Sequence, residues 1–456
     1  MWKLALSLLL FLSHRHICLS SDPLADEYGE LVFVSLLYRH GDRAITGESY
    51  PTDPYKNETY WSVGYGQLTN EGKKRHFELG KWLRNRYQDF LPAIYSPDDI
   101  YIHSTSVDRA IMSAGSNLAG LYPPVGNQTW NADLGKLWQP IPIHSLSPLE
   151  DNVLTYGDNC PRYRREFLKV LNSTEVRKFN KKHEELYSYI KKHTGMKMKN
   201  QIYDVQFLYD VLLVETQYNY TLPNWTNSVY PEKLMEVSRK SFELQTHNSL
   251  LKKLCVGMLI KEIVINMNIK RNSTIKSSKK LWMYSAHDSN VAALLNALNV
   301  YNNELPPYAA TVLFELRKNQ TNSSSYVVTV SYKNSSTHDP YLLHIPGCDS
   351  VACELDQFID VVKPNFIDNW HEECHKEITS NKRLWFYGVT IVFLLFVFII
   401  FFVVNRKAFL CYCGRDYQKL YHAVPRDETD YEQDGKSRVA VSYRMNSESA
   451  ATTSDV

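Results

Sequence analysis

Short apolar runs alternate along the chain with longer segments whose apolar residues recur at helical spacing. The runs that predict buried strands are Leu31–Arg39, Asp99–Ser104, Lys280–Ala286, Ala310–Leu316 and Tyr326–Tyr332. The segments that predict amphipathic helices are one that begins with a Thr69/Asn70 cap and runs to Tyr87, then Thr105–Ala119 and Val291–Leu298. This alternation predicts an α/β sandwich, in which the last two strands finish the sheet.

A long segment without strand character interrupts this alternation. From Cys160 to about Lys270 the pattern is helical, charged and rich in tyrosine. We therefore expect an α/β core over about 29–155 and 271–345, with an α-helical lobe inserted over about 156–270 that covers the functional site.

The end of the first predicted strand carries the first candidate chemistry, Arg39-His40-Gly41-Asp42-Arg43. Two guanidinium groups beside one imidazole repel each other unless an anion lies between them, and phosphate best fits the fork of arginine. Open α/β sheets bind ligands at the carboxyl ends of their strands, where a neutral imidazole can attack phosphorus. The motif therefore indicates phosphoryl transfer through His40. The alternative is that Arg39 and Arg43 are surface cations and His40 an ordinary loop histidine.

Two further segments follow strand ends in the same way. His287 and Asp288 come directly after the strand Lys280–Ala286, and Arg109 lies in the first turn of a predicted helix, where a cation is unfavourable without an anion nearby. The alternative for the His287-Asp288 pair is a plain helix cap. Because one site in a doubly wound sheet is built from several strand ends, we expect these segments to converge.

The two ends of the chain predict its topology. Residues 1–20 have a lysine at position 3 and a short apolar run, as in a cleaved signal peptide; an N-terminal membrane anchor is the alternative, but the run is too short to span. Residues 384–404 are apolar, uncharged and long enough for a transmembrane helix. These features predict a luminal or extracellular part over 21–383 and a cytoplasmic tail over 405–456.

Asn-x-Ser/Thr sequons agree with this topology, because all of them precede the predicted span. The candidate glycosylation sites are Asn57, Asn127, Asn172, Asn219, Asn224, Asn272, Asn319, Asn322 and Asn334.

Composition excludes some classes of function and constrains the cysteines. A net charge of +2 with 22% charged residues, and no basic tract, argues against a nucleic-acid partner. The predicted luminal part holds five cysteines, as expected in an oxidising compartment. Cys348 and Cys353 are close enough in sequence to close a small loop. Cys160–Cys374 is then the expected long-range disulfide, and Cys255 is expected to remain outside any disulfide. Zinc binding is the alternative, although the spacing fits no common zinc site.

The motifs together resemble those of the histidine acid phosphatases, branch 2 of the histidine phosphatases, and most of all its animal lysosomal and prostatic members. Arg39–Arg43 resembles the nucleophile motif of that family, Ser104–Arg109 its second arginine segment, and Tyr284–Asp288 its acid motif. The resemblance also covers Leu222–Trp225 and Leu305–Ala309. One departure concerns cysteine, since Val214 and Thr311 stand where related members have a bonded pair.

The resemblance implies a phosphoglycerate-mutase-like three-layer α/β/α fold and a metal-independent phosphomonoesterase without a cofactor. His40 would be the nucleophile and Asp288 the proton donor. Four residues would bind the phosphoryl oxygens, namely Arg39, Arg43, Arg109 and His287. The cations should lower the pKa of His40, and a bound phosphate should raise that of Asp288, which favours operation in acid. The alternatives are a catalytically silent membrane glycoprotein on the same fold, or a specialised lipid or nucleotide phosphatase.

The resemblance and the predicted topology together imply a location. Tyr421-His-Ala-Val424 in the short tail fits a tyrosine motif read by a sorting adaptor. We therefore expect a single-pass type I protein of the lysosomal membrane with a luminal catalytic domain, and the plasma membrane is the alternative. The expected partners are small-molecule or protein phosphomonoesters, and homodimerisation is what the resemblance suggests.

Overall fold

A computed structural model describes residues 22, 24–47, 49–155, 157, 159–272, 279–319, 325–376, 385, 387–403 and 405. The chain divides into two units, residues 1–377 and residues 378–456.

A seven-stranded mixed sheet forms the centre of the first unit. Its strands are β1 (Glu30–Arg39), β2 (Ile100–Ser104), β3 (Leu281–Ala286), β4 (Thr311–Lys318), β5 (Tyr326–Lys333), β6 (Tyr341–Leu343) and β7 (Ala352–Glu354). The order is β2-β3-β1-β4-β5-β6, with β7 also pairing β5. β1, β2 and β3 are parallel, whereas β4 runs antiparallel to β1 and to β5.

All five predicted strands are confirmed, but the expectation that the last two finish the sheet is wrong. β6 and β7 extend it, and each has three residues, too few to show a periodic pattern in the sequence.

Twelve α-helices are described in the first unit. They are α1 (Ala25–Tyr28), α2 (Asn70–Arg86), α3 (Asp108–Leu121), α4 (Pro161–Leu171), α5 (Thr174–Lys182), α6 (Glu184–Thr194), α7 (Gln201–Gln217), α8 (Glu232–Leu244), α9 (Ser249–Arg271), α10 (Asp288–Ala297), α11 (Leu355–Val362) and α12 (Trp370–His375). Short 3₁₀ helices cover Glu58–Tyr60, Gly126–Gln128, Asn224–Ser228 and Lys363–Asn365. The helices α4–α9 make up the segment predicted as a helical lobe.

Two helix boundaries differ from the prediction. α3 begins at Asp108 rather than Thr105, because the Thr105 N–H donates to the Ser285 carbonyl, 3.1 Å away, and so keeps the chain extended beside β3. α10 begins at Asp288 rather than Val291, with His287 as its N-cap. The predicted cap at Thr69 is confirmed, since its hydroxyl accepts the Gly72 N–H at 3.1 Å.

Helices cover both faces of the sheet, because successive side chains of a strand point to opposite sides. Val34, Leu36 and Tyr38 of β1 belong to the apolar cluster beneath α2 and α3. Phe33 and Leu37 belong to the cluster shared with α9, α10 and the lobe. β1 is therefore buried on both sides, which explains its near-continuous apolar run.

Both predicted disulfides are present. Cys160, next to the start of α4, is bonded to Cys374 in α12, and Cys348 is bonded to Cys353. The long-range bond connects the lobe to the end of the first unit. These four cysteines therefore do not form the zinc site that was the alternative.

The second unit is described only in part. Residues 387–403 are helical and their side chains are exposed. Among all the residues that the structure describes, no helix combines the length and the apolar character needed to cross a membrane. The predicted signal peptide over 1–20 and the sorting residues Tyr421 and Val424 lie outside the described residues.

Most candidate glycosylation sites lie at the surface. Seven of the asparagines are exposed, namely Asn57, Asn127, Asn172, Asn219, Asn224, Asn272 and Asn334. Asn319 is half-buried, and Asn322 is outside the described residues. Glycosylation at these positions stays a prediction.

α2 and α3 approach each other closely through glycine. A Cβ on Gly80 of α2 would overlap the Asn117 carbonyl of α3, and one on Gly120 of α3 would overlap the Phe77 carbonyl of α2. These two helices support the loops at the carboxyl ends of β1 and β2. Their separation therefore depends on the absence of a side chain at these two positions.

We expect Gly80→Ala to lower the stability of the first unit by about 3 kcal/mol, because the helices must separate to accept the methyl group. Gly115→Ala on α3 is the matched control, since the nearest atom to its Cβ would be Ile143 Cδ1 at 3.9 Å. That change should stabilise by about 0.5–1 kcal/mol through helix propensity. Thermal unfolding of the two variants measures both effects, and equal stabilities would contradict this account of the helix contact.

Candidate active site

The carboxyl ends of the parallel strands bring together the three segments singled out in the sequence. In the register of β1 and β3, Arg39 is opposite Ala286, so that His40 and His287 follow side by side. Their ring centroids are 5.5 Å apart. Arg109, in the first turn of α3, reaches the same place through its Nε, 3.1 Å from His40 Nε2.

Two hydrogen bonds determine the tautomer of His40, whose side chain is buried. Nδ1 is 2.8 Å from the Gly41 carbonyl, which can only accept, so Nδ1 carries the proton. The Nε–H of Arg109 donates to Nε2, which must therefore present its lone pair. The imidazole is thus neutral, and its lone pair is directed at the cationic groups rather than away from them.

Burial and surrounding charge keep His40 neutral in acid. Burial lowers the pKa of His40 well below its ordinary value, and the neighbouring cations, Arg39 first, lower it further. The sequence predicted the direction from the cations alone. Burial is the larger cause, and it became visible only with the fold.

Arg39 is held on three sides. Its Nη2 is 2.9 Å from Asp288 Oδ2, and its Nη1 donates to the Pro306 carbonyl at 2.6 Å. Its guanidinium lies over the ring of Tyr308, 4.1 Å from the centroid. The Leu305–Ala309 segment, to which the sequence assigned no task, therefore orients this arginine.

Asp288 is an ionised carboxylate in this arrangement. Burial raises its pKa, but Arg39, Arg43 and His287 outweigh that effect, and the net pKa lies below the ordinary value. Its Oδ1 accepts the Ser289 N–H at 2.8 Å, while the His287 N–H donates to Asn290 Oδ1 at 3.3 Å. Residues at the start of α10 thus satisfy amide groups, as the capping alternative required, and Asp288 also pairs with Arg39 of the site.

Arg43 pairs with a carboxylate that the sequence did not indicate. Both oxygens of Asp210 on α7 are 2.9 Å from Arg43 Nη2, and Arg43 Nη1 donates to the Ala44 carbonyl at 3.2 Å. The pairing raises the pKa of Arg43 against the opposing effect of burial. Asp210 has no motif around it, and only the packing of the helical lobe brings it to the site.

His40 is surrounded by a ring of groups that repel positive charge. This cationic ring consists of Arg39, Arg43, Arg109 and His287. Burial, and then Arg43, lower the pKa of Arg109 to about 10. Burial, and then Arg109, lower that of His287 to about 4. The hydroxyl of Thr105 lies 3.0 Å from His287 Nε2 and orients that ring. Such mutual repulsion between neighbouring groups is relieved by an anion placed among them.

A second layer of contacts holds the loop of His40 in place. The Gly41 N–H donates to the Ser113 hydroxyl at 3.0 Å, and a Cβ on Gly41 would press into the backbone of Gly72. Arg75 pairs with Asp42 through contacts of 2.6 and 3.0 Å. The Asp42 side chain therefore points away from His40 and is structural.

A cavity of about 300 Å³ opens beside Arg39 and Asp288. Its walls include Tyr209, Leu213, Met235, Phe242 and Pro307. A second cavity, of about 310 Å³, borders His287 from the side of Thr105 and Leu154. Both adjoin residues of the cationic ring, and the first combines an apolar wall with the Asp288 carboxylate.

We expect His40 to remain neutral, with its proton on Nδ1, at pH 5. Nitrogen-15 NMR of protein labelled on histidine would show distinct Nδ1 and Nε2 signals that do not move between pH 7 and pH 5. The signals of His338, an exposed histidine, are the internal control. A midpoint near 6.5 for His40 would contradict the assignment.

We expect Asp288→Asn to bind inorganic phosphate at pH 7 on the order of tenfold more tightly than the unchanged protein, because one nearby negative charge is removed. Titration calorimetry measures the affinity. Asp133→Asn, which changes an exposed acid, is the control and should have no effect. Weaker binding in the Asp288 variant would mean that the carboxylate orients Arg39 more than it repels the anion.

Sequence comparisons identify the family and the relatives of this chain. The model of the histidine phosphatase superfamily (branch 2) matches residues 30–333. Human prostatic acid phosphatase is 41% identical over 362 residues, which cover 78% of this chain and 89% of the relative. Lysosomal acid phosphatase of Xenopus laevis is 36% identical over 421 residues, covering 91% of this chain and 94% of the relative.

Solved structures show the same fold at lower identity. A Hafnia alvei phytase in complex with myo-inositol hexakis sulphate matches with a TM-score of 0.57 and 18% identity, covering 76% of this chain and 99% of the phytase. A Klebsiella phytase matches with a TM-score of 0.57 and 13% identity, covering 75% and 98%. With the similarity of sequence, of fold and of the motifs at the strand ends, this chain belongs to the histidine phosphatase superfamily, branch 2.

Proposed function

We propose that the protein is an acid phosphatase that hydrolyses phosphate monoesters through a covalent phosphohistidine at His40. The observation that carries the proposal is the directed lone pair of His40 Nε2 inside a ring of cationic groups. A neutral nucleophile and an anion site are thereby combined in one place.

In the first step, His40 Nε2 attacks phosphorus while the bond from phosphorus to the ester oxygen breaks. Asp288, in its protonated form, gives its proton to the departing alcohol. In the second step, Asp288 accepts a proton from water, which attacks phosphorus as the bond to Nε2 breaks. Phosphate leaves, and both residues return to their starting state.

The side chains of the cationic ring stabilise the negative charge on the phosphoryl group during its transfer. Arg39, Arg43 and Arg109 offer guanidinium N–H groups to the equatorial oxygens, and His287 adds a further donor. Because these residues supply the positive charge, the mechanism requires no metal ion.

The ion pair of Arg39 and Asp288 explains how one carboxyl group can serve as an acid. While it pairs with Arg39, Asp288 has a lowered pKa. A bound phosphate competes for Arg39 and adds negative charge, and both effects raise the pKa of Asp288. Substrate binding therefore favours the protonated form of Asp288. The protonated fraction is largest at acidic pH.

The cavity beside Asp288 suits an apolar or aromatic leaving group. Two of its lining residues are cations, and both already have carboxylate partners, Arg39 with Asp288 and Arg75 with Asp42. The cavity thus favours an ester with one phosphate over a polyanion such as the inositol hexakis sulphate bound by the Hafnia alvei phytase.

Two alternative functions are less well supported. A catalytically silent glycoprotein gives no reason for His40, Asp288 and the three arginines to be intact and convergent. A specialised lipid or nucleotide phosphatase would use the same chemistry and differ only at the leaving-group cavity. The geometry supports general phosphomonoester hydrolysis best.

For location, we propose the lysosomal membrane, with the first unit in the lumen. This is supported by the apolar segment 384–404, the sequons that precede it and the tyrosine motif at Tyr421 and Val424. The similarity to lysosomal acid phosphatases adds to it. The plasma membrane is the alternative.

We expect the full-length protein, purified in detergent with a chelator present, to hydrolyse an aryl phosphate with an optimum below pH 6. His40→Ala should lower kcat by about 10³-fold or more, because no other group replaces the nucleophile. Asp288→Asn should lower kcat and abolish the alkaline limb of the pH profile. His338→Ala, an exposed histidine, is the control. Activity that vanishes with chelator, or survives in folded His40→Ala, would refute the mechanism.

A further inference from the structure

Two buried carboxyl groups, those of Glu215 and Asp53, do not belong to the cationic ring. Glu215 on α7 has no exposed surface, and Asp53, in the loop that follows Arg43, is 3% exposed. Within the described part of the chain, neither forms an ion pair with a lysine or arginine. Two buried negative charges without a cation are very unfavourable, so at least one of these groups must be neutral.

The geometry indicates where the proton lies. The two carboxyl groups interact, since Asp53 raises the pKa of Glu215 both by its charge and through a hydrogen bond between the side chains. As carboxylates, they would bring acceptor against acceptor, and among the described residues no donor reaches either oxygen of Glu215 or the Oδ2 of Asp53. One proton between them turns this repulsion into a charge-assisted hydrogen bond.

The titratable side chains described next to Glu215 are two tyrosines. The loop contributes the buried Tyr50, and the segment before α8 contributes Tyr230, each of which senses the charge of Glu215. From α6, His193 stacks on Trp225, which in turn packs on Tyr50. Burial, and then Asp53, raise the pKa of Glu215 to about 9.

The pair connects the two elements that hold Arg43. Asp53 belongs to the loop that begins directly after Arg43, where its Oδ1 accepts the Tyr55 N–H at 2.6 Å. Glu215 shares α7 with Asp210, the carboxylate that grips Arg43 through two contacts of 2.9 Å. A contact between Asp53 and Glu215 therefore keeps α7 against this loop, and with it Asp210 against Arg43.

We propose that Asp53 and Glu215 share one proton, and that this hydrogen bond positions Asp210 and Arg43, so that the site is held together in acid and loosens as the pH rises. The proposal deepens the proposed function by naming a pH-dependent control of the same site. It rests on that function for its activity measurement only, since the shared proton is measured by stability.

The sign of the effect follows from proton linkage. The folded state keeps a proton that the unfolded state releases above the ordinary pKa of a glutamate, 4.5. Stability from the pair is complete below that value and is lost as the pH rises towards about 9. Between pH 5 and pH 8, the unfolding equilibrium constant should rise by up to about tenfold per pH unit through this pair.

Glu215→Gln tests the shared proton in the full-length protein. The amide of glutamine donates an N–H to Asp53 without titrating, so this contact no longer depends on pH. The fall in Tm between pH 5 and pH 8 should be smaller than in the unchanged protein by up to about 5 °C. Asp53→Asn should reduce the fall in Tm by a smaller amount, because asparagine can donate to Glu215 and still accept from Tyr55, whereas burial continues to raise the pKa of Glu215. Asp53→Asn also provides a test of the shared proton if Glu215→Gln does not fold. The control is Glu185→Gln, an exposed acid of α6, which should follow the unchanged protein.

Activity tests the positioning role. As the pH rises from 5 to about 10, through the value near 9 at which the folded pair loses its proton, KM for an aryl phosphate should increase less in Glu215→Gln than in the unchanged protein, with kcat at pH 5 unaltered. Parallel Tm curves for all variants would overturn the shared proton. So would stabilisation by added Ca²⁺ at pH 8 that chelator reverses, since the pair would then be a cation site. Altered Tm curves with an unaltered pH profile of KM would overturn the positioning role.

A failure of the proposed function would be recognised separately. If the unchanged protein hydrolyses no phosphate ester, the Tm comparison still decides whether the proton is shared. If the protein is active but its variants titrate in parallel, the failure lies with the shared proton alone.

Discussion

Positive charge confined around one imidazole is the constraint on which the structure of the site depends. Three guanidinium groups and a second imidazole surround His40, and they are stable there only because each is held by a defined partner. Asp288 and Asp210 neutralise two of the arginines, and the third donates to His40 itself. The arrangement remains unfavourable towards further positive charge, and it is therefore ready for an anion.

The fold supplies these partners from distant parts of the chain. The parallel strands β1, β2 and β3 bring the three motifs to one edge of the sheet, and the glycine contact of α2 and α3 keeps their loops close. The helical lobe contributes Asp210, and the segment after α10 contributes the Tyr308 ring beneath Arg39. Core and lobe are thus joined by the ion pair of Arg43 and Asp210 at the site itself, so the lobe contributes to the chemistry.

Proton positions link the site to its surroundings. His40 stays neutral because it is buried among cations, whereas Asp288 is ionised because those cations outweigh its burial. Among the described residues, no lysine or arginine pairs with Glu215 or Asp53, and one shared proton neutralises one of the two carboxylates instead. The same low-polarity interior therefore produces opposite ionisation states, according to which charges packing places beside each group.

Much of this could be read from the sequence. Five strands, the cap at Thr69, the position of Arg109 in its helix and the Cys348–Cys353 disulfide follow from local patterns, because period, capping and spacing are properties of neighbouring residues. The Cys160–Cys374 disulfide followed by elimination, once the cysteines of the short loop had been paired. The three motifs also indicated the chemistry. The sequence did not indicate β6 and β7, since three residues are too few to show a periodic pattern. The start of α3 was placed too early, because a backbone hydrogen bond to β3 keeps the preceding residues extended.

What only the tertiary structure decided concerns contacts between residues far apart in the chain. The partners of Arg43 and Arg39, the ionised state of Asp288 and the buried pair of Asp53 and Glu215 depend on how the lobe packs on the core. A sequence specifies which groups can ionise and where strands end. Their charge states are determined by burial and by neighbours that packing alone brings within a few ångströms.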